Sequence, residues 1–168
     1  MSYTLPELAK DIKAVLTSDP SLAGKQAICK HVSQALLDKG FIAENLKTRE
    51  PGEKPRQVLY EDPDLGFCIC GHVHDGPAAS SAHDHGPSWA IYGQAEGETQ
   101  MSEWKIVERG DPILVEEVKT FVMKPGDAHF YDAGEVHAVD RKAPVKLIRI
   151  EGANLDHIKR SNIKEKKA

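Results

Sequence analysis

The sequence predicts a mainly β protein, in which two N-terminal α-helices precede a β-sandwich or small β-barrel. Three observations lead to this fold class. Apolar residues recur at helical spacing over roughly the first 40 residues. From Arg56 onward, about eight short runs rich in β-branched and aromatic residues alternate with Gly, Pro and Asp. No helical pattern of about ten residues or more separates these runs, which disfavours a parallel sheet of βαβ units.

Two helices are expected within residues 1–42. Thr4 followed by Glu7 forms a capping box, in which each residue satisfies a backbone N–H of the first helical turn. The second helix carries its own apolar stripe, and Gly40 is predicted to be its left-handed C-terminal stop. Residues 43–55 contain two prolines, a glycine and many charges, and are predicted to be a linker.

The predicted strands extend over residues 56–151. They are the runs RQVLYED, LGFCICGHV, SWAIYG, GETQMSEWKIV, ILVEEVKTFVM, AHFYD, VHAVD and VKLIRIEG. Residues 152–168 are polar and basic, so we expect a C-terminal tail with a frayed end. A chain of 168 residues with 40% hydrophobic content is long enough for one core, and residues 1–168 are predicted to be a single domain.

The composition disfavours several classes of partner. Lys and Arg number 22 against 26 Asp and Glu, and the net charge of −4 disfavours binding to a nucleic-acid backbone. No apolar run approaches the roughly 20 residues of a membrane span, and the N-terminus lacks the apolar stretch of a signal peptide, so a cytoplasmic protein is expected. Three cysteines do not suggest a disulfide framework, and Cys68 and Cys70 are expected in a buried strand.

The histidines carry the clearest functional signal. His83 and His85 are two residues apart, which on a strand places both imidazoles on the same side. His137 begins another predicted strand, and three imidazoles converging from two strands could hold a divalent first-row metal with positions left open. His72 and His74 form a second pair of the same spacing, expected to face solvent or to support the site without ligating the metal.

The spacing around these histidines resembles the two motifs of the cupin superfamily, G(x)5HxH(x)3-4E(x)6G and G(x)5PxG(x)2H(x)3N. The second motif matches Gly126, Asp132 in the proline place, Gly134 and His137. The first motif matches at Gly76, at the pair of His83 and His85, and at Gly97, which is its closing glycine. Six residues instead of five separate Gly76 from His83. The resemblance implies a double-stranded β-helix, the cupin jelly-roll barrel, with His83, His85 and His137 as metal ligands.

The first motif departs from the superfamily at its glutamate, because Trp89 or Ala90 stands in that place. The resulting three-histidine site resembles that of the thiol dioxygenases of the cysteine dioxygenase type. That resemblance implies that Arg56, upstream of the histidines, grips a substrate carboxylate; the alternative is a strand-edge salt bridge. The Ser-x-His-x-Tyr run of that family is absent, which puts cysteine itself in doubt as substrate.

Three further residues are candidates for the site. His129 and Tyr131 share parity in the strand before His137, so both could face a cavity and serve in acid–base chemistry or in support of the metal. Tyr92 lies in the strand after the first ligands and has the same two interpretations. For all three, simple packing is the alternative.

The favoured hypothesis is a non-haem Fe(II) dioxygenase that takes O2 and a small thiol carboxylate to a sulfinate. Neutral imidazoles leave the metal charge uncompensated, which favours an anionic donor such as a thiolate or enolate. Other first-row ions (Ni, Zn or Mn) stay open as the metal. Two alternatives also stay open: a dioxygenase that cleaves a carbon–carbon bond of an enolisable molecule, and a small-molecule-binding cupin without turnover. A homodimer is compatible with a barrel of this type.

Overall fold

The computed structural model describes residues 3–167, whose strands form two five-stranded sheets behind a helical N-terminal segment. The helices are α1 (Leu5–Ser18), α2 (Leu22–Leu36) and α3 (Lys39–Asn45). The strands are β1 (Arg56–Glu61), β2 (Cys68–His74), β3 (Ala78–Ala79), β4 (Ala90–Glu96), β5 (Thr99–Glu108), β6 (Ile113–Met123), β7 (Ala128–Tyr131), β8 (Val136–Arg141), β9 (Val145–Glu151) and β10 (Ile163–Glu165).

The strand order is that of a jelly roll. One sheet has the order β1-β2-β9-β4-β7 and the other the order β10-β6-β5-β8-β3. All pairings are antiparallel except that of β10 with β6. Because β9 pairs with both β2 and β4, distant parts of the chain lie side by side. The predicted mainly β fold, a double-stranded β-helix with helices ahead of it, is confirmed.

The first sheet has two buried faces with different partners. Ile91 and Ile148 of its outer face pack in one cluster with Leu8 of α1 and Ile28 of α2. Its inner face meets the second sheet, in a cluster that joins Tyr92 and Tyr131 to methionines and a valine of the other sheet. Since side chains alternate between the two faces of a strand, every second side chain packs against the helices and the others face the barrel interior.

The helical segment agrees with the sequence at its start and differs at its end. The capping box is present: the Thr4 N–H donates to Glu7 at 2.7 Å, and the Glu7 N–H donates to the Thr4 side chain at 3.4 Å. Gly40, predicted as a left-handed stop, instead lies inside a third helix. The Asp38 side chain caps that helix, and burial of Phe41 holds it against the core, so the helical region continues into the predicted linker.

The C-terminal stretch is also more ordered than the predicted frayed tail. A 3-10 helix spans Leu155–His157, and β10 adds a parallel strand to the edge of β6. Ile163 packs against a small apolar cluster that includes Val115 and Val136. Partial burial of Ile163 and pairing with the free edge of β6 therefore help to hold this segment.

The cysteines agree with the sequence. All three are free thiols, and Cys68 and Cys70 are buried in β2. In residues 3–167, no helix combines the length and the apolar character of a membrane span.

Candidate metal centre

Three imidazoles meet inside the barrel. One ring nitrogen from each of His83, His85 and His137 lies within 4.8 Å of the others. The ring centroids of His83 and His85 are 4.7 and 4.8 Å from that of His137. His85 is 2% exposed and His137 is fully buried, whereas His83 is partly exposed, so the cluster is screened from bulk water except on the side of His83. We call these three residues the histidine cluster.

Different elements bring the three together. His137 lies on β8, and its backbone exchanges two hydrogen bonds with His83, at 2.9 and 3.0 Å. The sequence predicted that His83 and His85 share a strand, but the structure places them in the segment between β3 and β4, where only His83 forms a bridge. His83 and His85 still face the same side, because the bridge fixes His83 and the bend after it turns His85 toward His83.

That bend is held by Asp84 and the C-terminal stretch. The Asp84 carboxylate accepts hydrogen bonds from the Ser161 hydroxyl at 2.6 Å, the Ser161 N–H at 3.1 Å and the Gly86 N–H at 3.1 Å. Burial opposes ionisation of Asp84, but these hydrogen bonds outweigh it and lower the pKa of its carboxyl. Gly86 has a φ of 57°, and a Cβ there would meet the Lys159 carbonyl oxygen at 2.7 Å, so only glycine fits.

The hydrogen bonds of two imidazoles assign their protons. Nδ1 of His83 lies 2.9 Å from the Ser81 carbonyl oxygen, and Nδ1 of His137 lies 3.2 Å from that of Glu135. A carbonyl oxygen can only accept, so each Nδ1 carries the hydrogen and each Nε2 presents a lone pair. This is the tautomer in which histidine ligates a metal through Nε2.

The electrostatics of the site keep the imidazoles neutral. Burial lowers the pKa of His83 to about 4 and that of His85 to about 2, and it holds the pKa of His137 well below its ordinary value. At neutral pH all three rings are therefore in the form that binds metal.

Two tyrosines line the cluster. The Tyr92 hydroxyl lies 3.1 Å from Nε2 of both His85 and His137. The Tyr131 ring stacks on His137 with centroids 4.0 Å apart, and its hydroxyl is buried without a hydrogen-bond partner in residues 3–167. Burial raises the pKa of Tyr131 well above its ordinary value, so its hydroxyl stays protonated. The structure thus brings Tyr92 and Tyr131, both predicted site residues, to the cluster.

His129 contacts the histidine cluster only through Tyr131, as far as the ring contacts of the described residues show. Its ring contacts Tyr131 with centroids 4.7 Å apart, and its Nε2 lies 3.2 Å from the Glu103 carboxylate. Burial lowers the pKa of His129, and Glu103 partly opposes this effect. A cavity of about 400 Å³ is lined by Glu103, His129, Tyr131 and Trp104 among others. His129 therefore lines this cavity, and the Tyr131 ring contacts both His129 and His137.

Arg56 lies at the start of β1 and is engaged by protein groups. Its Nε and Nη2 donate to Glu151 at 3.0 and 2.7 Å, and its Nη1 donates to Asp156 at 2.7 Å. A substrate carboxylate that bound Arg56 would have to replace one of these carboxylates. The strand-edge ion pair, which was the alternative expectation for this residue, is present.

Arg149 is a buried residue that the sequence analysis missed. It lies in register between Cys70 and Tyr92, and its guanidinium carbon is 5.7 Å from the centre of the Tyr92 ring. Its Nε donates to Glu151 at 2.8 Å, and in residues 3–167 its Nη1 has no hydrogen-bond partner. The signal was present in β9, where Arg149 and Glu151 share the parity that faces the interior.

The second histidine pair lies inside the barrel. His72 was expected to face solvent or to support the site, and it is only 9% exposed. The solvent-facing alternative is wrong for His72 because β2 pairs on both sides, with β1 and β9, and its even-numbered residues share the inner face. Neither His72 nor His74 belongs to the cluster of ligating atoms in the described residues.

The donor set fits a divalent first-row metal ion. It consists of three neutral imidazoles, two of them oriented by backbone carbonyls, and no carboxylate takes part among the described residues. The Tyr92 hydroxyl bonds to the nitrogens that a metal would use, so a bound ion would displace it from His85 and His137.

Comparisons with known proteins return structures only. No family model and no curated protein matches the sequence. A Schizosaccharomyces pombe Cnp3 cupin domain is 12% identical over 59% of this chain and 60% of its own, with a TM-score of 0.46, so the match spans less than two thirds of that protein. A double-stranded β-helix protein of Klebsiella pneumoniae is 16% identical over 71% of this chain and 93% of its own, with a TM-score of 0.47.

KdgF from a Halomonas species is 16% identical over 57% of this chain and 74% of its own, with a TM-score of 0.43. At this level of identity the likeness concerns the fold alone, and the site is interpreted from its own residues. In fold the chain is similar to cupins, and a three-histidine cluster lies inside its barrel.

Proposed function

We propose that the chain is a non-haem Fe(II) dioxygenase that oxygenates a small anionic molecule, with a thiol carboxylate as the favoured substrate. The observation that carries the proposal is the histidine cluster, in which three neutral imidazoles converge without a carboxylate. Such a ligand set leaves the 2+ charge of the metal uncompensated, so an anionic donor is preferred in the open positions. Ferrous iron bound there would supply the electrons that let O2 react with a spin-paired substrate.

The overall reaction needs only the two substrates. A thiolate and O2 give a sulfinate, R–S⁻ + O2 → R–SO2⁻, in which both oxygen atoms go to sulfur. The sulfur is oxidised by four electrons and O2 is reduced by the same four, so no further reductant or proton donor is required.

The protein's own residues orient the reaction and exclude water. The Tyr92 hydroxyl, once displaced from the imidazoles, remains on the inner face beside them and can donate a hydrogen bond to a substrate atom. The buried Tyr131 hydroxyl is a second such donor. The low exposure of His85 and His137 keeps bulk water away from the reacting atoms.

The test is oxygen uptake by iron-loaded protein against a panel of small thiols and diketones. We expect uptake with at least one thiol carboxylate and a sulfinate product by mass spectrometry. The Tyr92→Phe variant should retain its iron and lose about 10–150-fold in turnover, because it lacks the hydrogen bond that the hydroxyl donates to the charged substrate. Oxygen uptake with a diketone and with no thiol would favour a dioxygenase that cleaves a carbon–carbon bond. No uptake with any compound would reject a dioxygenase and favour a small-molecule-binding protein without turnover.

A further inference from the structure

A second group of basic side chains lies inside the barrel and takes no part in the histidine cluster. We call it the basic cluster; its members are His72, His74, Arg141 and Arg149. His72 and His74 stack on β2 with centroids 6.2 Å apart. Arg141, at the end of β8, is 6% exposed, and Arg149 is 8% exposed.

The two sheets bring these side chains together from opposite sides. β2 and β9 belong to the first sheet, and β8 belongs to the second. The pKa of His72 lies well below its ordinary value, first because of burial and then because of the positive charges of Arg149 and Arg141. The register of β2 with β9 pairs Cys70 with Arg149 and His72 with Leu147, so His72 and Arg149 are diagonal neighbours on the inner face of the first sheet.

The charges in this interior do not balance. The buried carboxylate of Glu151 is already shared by Arg56 and Arg149. The Arg141 guanidinium has no ion pair with any residue in 3–167. Its one hydrogen bond there is donated by Nε to the Thr99 hydroxyl at 3.3 Å. Its Nη1 and Nη2 have no partner in the described protein. Arg141 is thus a nearly buried arginine whose charge no described protein group neutralises, and its Nη1 and Nη2 keep contact with solvent.

A guanidinium stays protonated at any physiological pH, so the imbalance cannot be relieved by loss of a proton. Burial of an unpaired charge is strongly unfavourable, and a buried cation is normally accompanied by an anion. Asp75, at the same end of the barrel, is engaged by Arg49 at 2.6 Å. Asp75 is therefore not available to Arg141, and an anion from outside the described protein would supply the missing negative charge.

We propose that the basic cluster is an anion subsite in which Arg141 holds the carboxylate of a small organic acid through Nη1 and Nη2. The planar fork of these nitrogens matches the two oxygens of a carboxylate. Nε2 of His72 is buried and has no hydrogen-bond partner in residues 3–167, and as a neutral ring with its proton there it donates a further hydrogen bond. A cavity of about 210 Å³ at this end of the barrel is lined by His74 of the basic cluster and by Lys146, together with Asp75 and Glu96, whose carboxylates are paired with Arg49 and Lys146.

The subsite exists without the metal, and only its use by a substrate rests on the proposed function. Arg141 and His137 are four residues apart on β8, which is about 13 Å along a strand. Residues 137 and 141 have the same parity on β8, so both side chains lie on the strand face that is turned to the barrel interior.

The experiment measures anion binding to metal-free protein at constant ionic strength. Sodium acetate and sodium succinate are titrated by calorimetry, with thermal unfolding as a second readout and sodium chloride and sodium phosphate as comparison anions. Arg141→Gln removes the charge, Arg141→Lys keeps the charge without the fork, and Lys142→Gln removes the adjacent cation, whose side chain is 81% exposed.

We expect a carboxylate to bind wild type and Lys142→Gln alike. Arg141→Gln should weaken the affinity by at least ~10-fold, and Arg141→Lys should recover part of it. In buffer without a carboxylate, Arg141→Gln should be at least as stable as wild type, because it removes an unpaired buried charge; a purely structural arginine would give a loss. Equal binding by wild type and Arg141→Gln, or equal binding of phosphate or chloride by wild type, would overturn the proposal.

The outcome is independent of the dioxygenase proposal. Carboxylate binding without oxygen uptake would retain the subsite and reject the reaction. Oxygen uptake that is unchanged in Arg141→Gln, together with no carboxylate binding, would reject the subsite and retain the reaction.

Discussion

The position of one proton decides what each interior histidine can do. In His83 and His137, a backbone carbonyl at Nδ1 holds the hydrogen there and turns the Nε2 lone pair toward the other ligands. His72 is also nearly buried, but its Nε2 has no hydrogen-bond partner in residues 3–167. The oriented lone pairs suit the histidine cluster to a metal, whereas an Nε2–H of His72 would be a free donor for an anion.

This difference predicts which histidine pair controls metal content. Protein loaded with Fe(II) or Zn(II) should carry about one ion per chain, bound at roughly 2.0–2.2 Å from imidazole nitrogens. His85→Ala should reduce this stoichiometry to near zero, whereas His72→Ala should keep the ion, with an affinity change no larger than about 10–100-fold. Elemental analysis after dialysis measures both. Equal loss from the two substitutions would show that the wrong pair was chosen.

At the scale of elements, the metal centre depends on a segment far away in sequence. The bend between His83 and His85 is held by Asp84, whose carboxylate is bound by the Ser161 hydroxyl and N–H. The pairing of β10 with β6 keeps Ser161 in place. The C-terminal stretch is therefore part of the support of the ligands.

Removal of the Ser161 hydroxyl should loosen this support. We expect Ser161→Ala to weaken metal affinity by about 10-fold, the lower end of the effect of groups that orient ligands. Asn162→Ala is the matched control, because its side chain bonds to Asp111 at 2.7 Å and not to Asp84. Competition with a chromophoric chelator gives the affinities. If Asn162→Ala weakened binding as much as Ser161→Ala, the effect would come from the segment as a whole.

At the scale of the whole molecule, the barrel interior is an unusually polar core. Glu151 is fully buried and holds together two strands of the first sheet, since Arg56 belongs to β1 and Arg149 to β9. Burial opposes its ionisation, but the hydrogen bonds from Arg56 and the charge of Arg149 outweigh burial and lower its pKa. Glu151 therefore links the stability of the barrel to pH.

The sign of this linkage follows from the lowered pKa. The stabilisation by Glu151 is complete above its ordinary pKa of 4.5 and is lost as the pH falls through the lower folded value. At pH 7, Glu151→Gln should reduce the free energy of unfolding by about 3–5 kcal/mol, because it leaves buried guanidinium groups without their carboxylate. The difference from wild type should shrink as the pH falls below about 4.5.

Urea unfolding at several pH values measures this effect. Asp156→Asn is the control, since Asp156 pairs with Arg56 from an exposed position and should contribute no more than about 1 kcal/mol. A difference between wild type and Glu151→Gln that did not change with pH would mean that the glutamate acts through packing and not through its charge.

The sequence by itself determined the features that depend on local pattern. Alternation in the strands, helical spacing in α1 and α2, and the capping box of Thr4 and Glu7 are set by neighbours a few residues away. The motif spacing also selected His83, His85 and His137 and excluded a carboxylate at position 89 or 90, because these are statements about residue type and separation.

Tertiary structure decided everything that depends on which strand faces which. Gly40 became helical because Phe41 is buried against the core, and the tail became ordered because the edge of β6 was free. Arg56 is bound by Glu151, 95 residues away, whereas Arg141 has no carboxylate partner in the part of the chain that the structure describes. Whether a charge inside the barrel is neutralised depends on the side chains that other strands bring to it, and no local pattern contains that information.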